Sequence, residues 1–234
     1  MTMVKEMLTI TIISMGLLLL SNSVEPYKRP FDIGDESISR MYFRHDTITF
    51  IETAAVSVLV PLALMFATFR INSVERIHEI YFYASFLVTC LVGFAVVENT
   101  KNLAGRLRPD FLSRCNPVAG KCTGNPLVVL DGRKSFPSGH TSIAACGFMF
   151  LALFISKEST LPGLKAKVGR SSVFLLYFVF LMVPVAVGTS RVMDNKHFIS
   201  DVIGGGAIGA FVGIARFKHL ETAVAQERYK SIEA

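Results

Sequence analysis

The stretch SFPSGHTSIAACGFMFLALFI, residues 135–155, carries two messages in one segment. From Thr141 onward it is an apolar run without the alternation of a half-buried strand, so it reads as a helix. Its opening, Ser135-Phe136-Pro137-Ser138-Gly139-His140, places Pro, Ser, Gly and His at the start of that helix, where free backbone N–H groups and the positive helix end favour an anion. Working outward, comparable apolar runs lie at 7–20, 50–69, 80–97, 173–187 and 202–217. With 141–155 they make six helices. Several runs are only 15 or 16 residues long, so each is expected to extend by a turn into its polar flanks, as helices lining a polar cavity can.

Composition agrees with burial in a bilayer. With 51% apolar residues, 18% charged residues and a mean hydropathy of +0.48, the chain lacks the makings of a water-facing surface. At about 20 apolar residues per span, the 234 residues allow five to seven crossings and leave little room for a separate soluble catalytic domain. The expectation is an all-α polytopic membrane protein, a six-transmembrane-helix bundle forming one integral membrane domain over 1–234, with its core at 25–217. Residues 218–234 read as a cytoplasmic tail, polar and solvated, in the form of a frayed helix. No internal repeat, low-complexity tract or flexible linker is visible.

The first run admits two readings. Lys5, a 14-residue apolar core and the small residues Ser21 and Ser23 fit a retained helix or a signal peptide with a Ser-x-Ser cleavage site. Either delivers 25–46 to the non-cytoplasmic side. With the N-terminus inside, 11 basic residues fall on the cytoplasmic side and 13 outside, so the positive-inside rule is uninformative. Seven of the outer 13 lie between residues 101 and 134, and a bound anion would account for that excess. The net charge of +6 is thus read as serving lipid headgroups or a phosphate ligand, and no nucleic acid is expected.

Counting helices puts three polar clusters on one face of the membrane. Lys101 and Arg108-Pro109 follow the third run and supply a flexible point cation and a planar guanidinium. Ser138-Gly139-His140 open the fourth; Ser138 adds a hydroxyl donor and Gly139 lets the backbone approach a ligand. Ser190-Arg191, His197 and Asp201 lie between the fifth and sixth. His197 and Asp201, at i and i+4, share a helical face, where a carboxylate can hold the imidazole in the tautomer whose other nitrogen is free to attack. Taken singly, each cluster could be an interfacial anchor, a helix start or a surface ion pair.

Together, Lys-x6-Arg-Pro, Pro-Ser-Gly-His and Ser-Arg-x5-His-x3-Asp resemble, complete and in order, the tripartite signature of the type 2 phosphatidic acid phosphatase superfamily. The wording around them, Gly-Arg-Leu-Arg-Pro-Asp-Phe-Leu (105–112), Cys-Asn-Pro (115–117) and Ser-Arg-Val-x-Asp-x-Lys-His (190–197), looks like the eukaryotic lipid phosphate phosphatase branch. Pro26-Tyr27-Lys28-Arg29-Pro30 is similar to that branch too, so the resemblance runs over about residues 25–217. Carried over by position, it makes His197 the nucleophile that takes the phosphoryl group, with Asp201 orienting it and His140 protonating the leaving alkoxide and later activating water. Lys101, Arg108, Arg191, Ser138 and the Gly139 N–H would hold the phosphate oxygens. Three fixed cations facing a phosphate do the work Mg²⁺ performs elsewhere, so no cofactor and no metal is expected, and no Asp/Glu/His grouping at metal spacing stands apart from His197 and Asp201.

Cys115 and Cys122 share the outer loop, seven residues apart, and a disulfide between them is expected in an oxidising lumen. Cys90 and Cys146 fall inside runs as small core residues. His45, His78 and His219 read as solvated. Glu98, three residues before Lys101 on the same helical face, is placed to pair with it or to line the cavity. Gly205, Gly209 and Gly213 form a small-residue stripe for close helix packing, within the chain in preference to a homo-oligomer. No Asn-x-Ser/Thr occurs, so N-glycosylation is not expected.

The leading expectation is a multi-pass enzyme of the plasma membrane or endomembranes, its site extracellular or lumenal, that hydrolyses phosphatidate, lysophosphatidate or related lipid phosphate monoesters through a phosphohistidine. A lipid or isoprenoid diphosphate phosphatase is the near alternative, and a catalytically inactive membrane scaffold or transporter the distant one. The partners implied are the lipid phosphate substrate and membrane lipids.

Overall fold

The computed structural model describes residues 2–72, 76–158 and 170–233. The chain runs α1 (Thr2–Ser23), a 3-10 turn (Glu36–Ile38), α2 (Phe50–Asn72), α3 (Arg76–Ala104), α4 (Phe111–Cys115), a hairpin of β1 (Pro117–Val118) and β2 (Lys121–Cys122), α5 (Pro126–Asp131), α6 (Gly139–Glu158), α7 (Arg170–Met193) and α8 (Ile199–Glu233). Among the described residues six helices are long and apolar enough to cross a membrane, as the sequence predicts. Each outruns its apolar stretch, because intrahelical hydrogen bonds are worth continuing wherever the polar flanks find partners inside the protein.

Local chemistry sets several helix ends. Thr49 and Glu52 form a reciprocal capping box at the start of α2, Thr49 N donating to Glu52 Oε2 at 2.8 Å and Glu52 N to Thr49 Oγ1 at 3.2 Å. Asn125 caps α5 ahead of Pro126, and left-handed Asn116 ends α4.

The central helix is α6, most of whose apolar stretch is buried, whereas α1 lies at the periphery with little of its own covered. α6 lies along α8 at very short range. A methyl group added to Gly205 would come within 2.3 Å of the Ser138 carbonyl oxygen, and one added to Gly209 within 2.1 Å of the Ser142 carbonyl oxygen. The glycine stripe is therefore spent on packing inside the chain. α1 docks on α3 through asparagine side chains. Asn99 Nδ2 donates to Leu17 O at 3.0 Å, and Asn102 Nδ2 donates to Ser21 O at 2.7 Å and to Val24 O at 3.2 Å.

One end of the bundle, termed here the far end, is aromatic. Phe69, Phe82, Phe150, Phe154 and Phe217 meet edge to face, with centroids as close as 5.0 Å for Phe69 and Phe154. Arg70 pairs with Glu79 there, and Asn72 Nδ2 donates to Glu158 Oε2 at 3.0 Å. The stretch expected to be a frayed, solvated helix is helical, but its first turns are packed and not solvated. It continues α8, with Leu220 buried, Val224 against the aromatic cluster, Lys157 Nζ 3.3 Å from Glu221 Oε1 and His219 Nε2 3.4 Å from Glu6 Oε2. Phe217, Leu220 and Val224 recur at helical spacing, so one face stays apolar although the average is polar. His45 is exposed and His219 about half exposed; the side chain of His78 lies outside the described residues.

Candidate active site

The opposite end, the site end, is closed by a strap, residues 24–49, and by the connection from α3 to α6. Main-chain and side-chain bonds fasten the strap: Tyr27 N to Asn102 O at 2.8 Å, Arg40 N to Pro109 O at 2.9 Å, Tyr42 N to Ser113 Oγ at 3.2 Å and Thr47 N to Asp194 Oδ2 at 2.8 Å. Cys115 and Cys122 are joined by a disulfide that closes the α4–β2 turn.

All three sequence clusters converge under this cover. Ser138 N donates to Asp201 O at 3.0 Å, tying the start of α6 to the start of α8. A methyl group on Gly139 would lie 3.0 Å from Lys101 Nζ, so the lysine sits close against the bare backbone of the helix start. Ser138 Oγ accepts from Thr141 N at 3.4 Å and Thr141 Oγ1 at 3.0 Å, which leaves its own proton to donate. His140 stands within electrostatic reach of Arg191, His197, Lys101 and Arg108, its ring edge-on to Phe50 at 5.3 Å.

Each cation assigned to phosphate already holds a carboxylate. Lys101 Nζ lies 2.6 Å from Glu98 Oε1, the pairing foreseen from their spacing. Arg108 Nη2 lies 2.9 Å from Asp131 Oδ1, and its Nε donates to Asp131 O at 3.0 Å. Fully buried Arg191 pairs through Nη2 with Asp194. Its Nη1 lies 3.1 Å from Asp46 Oδ2 without making a hydrogen bond. Two buried polar atoms in this cluster thus lack a hydrogen-bond partner, Arg191 Nη1 and His140 Nε2. Buried polar atoms are costly to leave unpaired, and at a convergence of cations they mark where an anion's oxygens fit.

The geometry refines the expected pairing of His197 with Asp201. Nδ1 of His197 is 2.7 Å from the Ser135 carbonyl oxygen and 3.8 Å from Asp201 Oδ2, so the hydrogen bond goes to the carbonyl. A carbonyl only accepts; Nδ1 therefore carries the proton and Nε2 keeps its lone pair. Asp201 is occupied elsewhere. Its Oδ2 accepts from Ser135 Oγ at 2.6 Å and Phe198 N at 2.9 Å, and its Oδ1 from Arg106 Nη1 at 2.6 Å. Burial pushes His197 down to about 4, with Asp201 pulling it back up and Arg108 and Lys101 pushing it further down. At neutral pH the ring is uncharged.

Sequence reasoning passed over Arg106, the acidic partners Asp46, Asp131 and Asp194, and the salt-bridge layer beneath the strap. In that layer Arg114 Nε pairs with Asp110 Oδ1 at 2.6 Å and Arg114 Nη1 with Asp131 Oδ2 at 2.7 Å, while Lys196 and Arg114 both sit over the Tyr42 ring at 4.4 Å. For Arg106 and Asp131 the usable signal was the four Arg of residues 101–134, which call for acidic partners; Asp46 and Asp194 lie outside that loop and carried none. A cavity of about 420 Å³ reaches His197 between Arg40, Arg106, Pro109, Asn195 and Phe198. Among the described residues no group of three or more His, Cys, Asp or Glu side chains converges as a metal site.

Fold and site together define a polytopic helical membrane protein that gathers two histidines, His197 buried and His140 half-buried, among paired cations at one end of its bundle. Residues 81–224 match the PAP2 superfamily. The chain is 31% identical over 216 residues to lipid phosphate phosphatase 2 of Arabidopsis thaliana, covering 87% of this chain and 71% of that protein. It is 34% identical over 240 residues to phospholipid phosphatase 2 of Mus musculus, covering 92% and 84%, and 32% identical over 233 residues to the Homo sapiens protein of that name, covering 88% and 78%. No solved structure matches. The chain belongs to the PAP2 superfamily.

Proposed function

We propose that this protein is a lipid phosphate phosphatase that hydrolyses lipid phosphate monoesters such as phosphatidate or lysophosphatidate. The observation that carries the reading is the buried His197, whose Nδ1 is tied to the Ser135 carbonyl so that Nε2 keeps its lone pair, within electrostatic reach of Lys101 and Arg108 and of His140, whose own Nε2 lacks a partner and which Arg191 also faces. A group that only bound phosphate would need the cations alone.

In the proposed reaction His197 Nε2 attacks phosphorus, a P–N bond forms and the bond to the lipid oxygen breaks. His140 gives that oxygen its proton, because an alkoxide is a poor leaving group. Lys101, Arg108 and Arg191, with Ser138 Oγ–H and the Gly139 N–H, stabilise the equatorial oxygens. His140, now a base, takes a proton from the water that attacks phosphohistidine, releasing phosphate and restoring both rings. Three protein cations supply the charge that a metal ion supplies in other phosphoryl-transfer sites.

The site is read as facing the lumen or exterior, and the Cys115–Cys122 disulfide at the same end supports that side, since disulfides persist in oxidising compartments. The test is phosphate release by purified protein from a panel of lipid monoesters and diphosphates in excess EDTA. Turnover of monoesters is expected. Activity confined to diphosphates would move the substrate class, and activity that needs added Mg²⁺ would overturn the all-protein clamp.

A further inference from the structure

Asp201 Oδ2 already accepts two hydrogen bonds, from Ser135 Oγ and Phe198 N, and a carboxylate oxygen has about two lone pairs to offer. It has none left for His197, which accounts for the 3.8 Å gap. The link between the two runs through Ser135, whose hydroxyl grips Asp201 and whose carbonyl grips His197. On the other oxygen sits Arg106. Its Nη1 is 2.6 Å from Asp201 Oδ1 and 2.8 Å from Ser200 Oγ, and its guanidinium lies over the Phe198 ring at 4.5 Å. These contacts fix the cation from three sides, with its side chain only 31% exposed.

We infer that Arg106 is a positioning residue for the nucleophile: it neutralises Asp201 and, with Ser135, keeps that carboxylate off His197 in the resting enzyme. The imidazole then meets a nearly balanced ion pair instead of a bare carboxylate, stays uncharged and keeps its Nε2 lone pair. The other charged groups facing His197 are Lys101 from α3, Arg108 from the following loop and His140 from α6, with Arg191 of α7 behind His140. Three of these are cations, and among the largest influences on the ring Asp201 is the anion that pulls it toward the charged form, so Arg106 is what balances it. This rests on the phosphatase reading for its consequence but not for its electrostatics.

The experiment measures both. R106Q and R106M remove the charge, the methionine keeping an unbranched chain over Phe198; R106K keeps the charge; Ser135→Ala frees a lone pair on Asp201 Oδ2 so that the carboxylate can bond His197 directly. The His197 ring is titrated by NMR in full-length protein with labelled histidine, its resonance assigned by comparison with His197→Asn, alongside the acid limb of kcat/KM. Removing the cation or the hydroxyl should raise the His197 titration by about one pH unit, with R106K close to wild type. The acid limb should move with it. A purely structural role would lower kcat at every pH and leave both titrations in place, and that result in the neutral Arg106 variants or in Ser135→Ala would overturn the inference. Should wild type release no phosphate from any lipid, the phosphatase reading fails, while the NMR titration still decides the role of Arg106.

Discussion

At the far end of the bundle Phe69, Phe86, Phe150 and Phe154 are buried by one another, whereas at the site end Arg191, Asp201, Asp110 and Arg114 are buried just as deeply and only in company. The aromatic end, apart from Arg70–Glu79 and Asn72–Glu158 at its rim, is held by dispersion and ring geometry, contacts that are individually small and tolerant of replacement by another apolar group. Charged side chains cost several kcal/mol each to take out of water, and geometry must return that cost. A concentration of such charges at one end is hard to account for by stability alone. The difference teaches that the paired charges are kept for what they do, and that losing one partner there should harm in a way that losing a ring at the far end does not.

The largest effect expected falls on chemistry. His140→Ala should slow phosphoryl transfer from a lipid ester by about 10²- to 10⁴-fold and the first, single-turnover release of nitrophenol from a nitrophenyl phosphate much less, since that leaving group needs little protonation. Equal loss of that first transfer on both substrates would place His140 in a role other than acid. Next, Asp110→Asn leaves Arg114 buried without its closest partner, and a cost of about 3–5 kcal/mol in stability is expected together with lost activity, read by thermal unfolding in detergent and by phosphate release. Phe154→Leu at the aromatic end should cost about 1 kcal/mol and leave kcat per folded molecule unchanged. Should Phe154→Leu impair kcat as Asp110→Asn does, the two ends are one cooperative unit and the contrast between them fails.

Much of the fold was legible because the bilayer demands long apolar runs, and six of them mark the six spans. The site was legible where function repeats fixed spacings: Lys101 to Arg108, Ser138 to His140, His197 to Asp201. Partners far apart in sequence carry no such spacing. Asp46 lies 145 residues before Arg191, and nothing local in the strap announces that its carboxylate faces that guanidinium. Arg106 reads as one more basic residue in a basic loop until α8 is folded against it. The polar average of residues 218–226 likewise hid the apolar face carried by Leu220 and Val224.

A smaller effect sharpens the comparison through pH. His197 must be uncharged to attack, and its protonation is pushed down to about 4, so kcat/KM should hold from neutrality to about pH 5 and fall below that. Stability should follow in the same direction. The unfolded chain binds this proton near pH 6.5 and the folded one only near 4, so the unfolded state gains protons first as the pH falls through that window. Thermal unfolding of wild type should thus weaken between pH 6.5 and 4 by more than that of His197→Asn, and identical profiles would show that the ring is not buried uncharged.

The central claim, that His197 takes the phosphoryl group and His140 moves the protons, is tested most directly by trapping the intermediate. With a ³²P-labelled nitrophenyl phosphate, His140→Ala should accumulate acid-labile, base-stable label, because transfer proceeds while hydrolysis of the phosphohistidine lacks its base. His197→Ala should carry none. Label on the His197→Ala protein, or none on His140→Ala despite release of nitrophenol, would contradict the assignment.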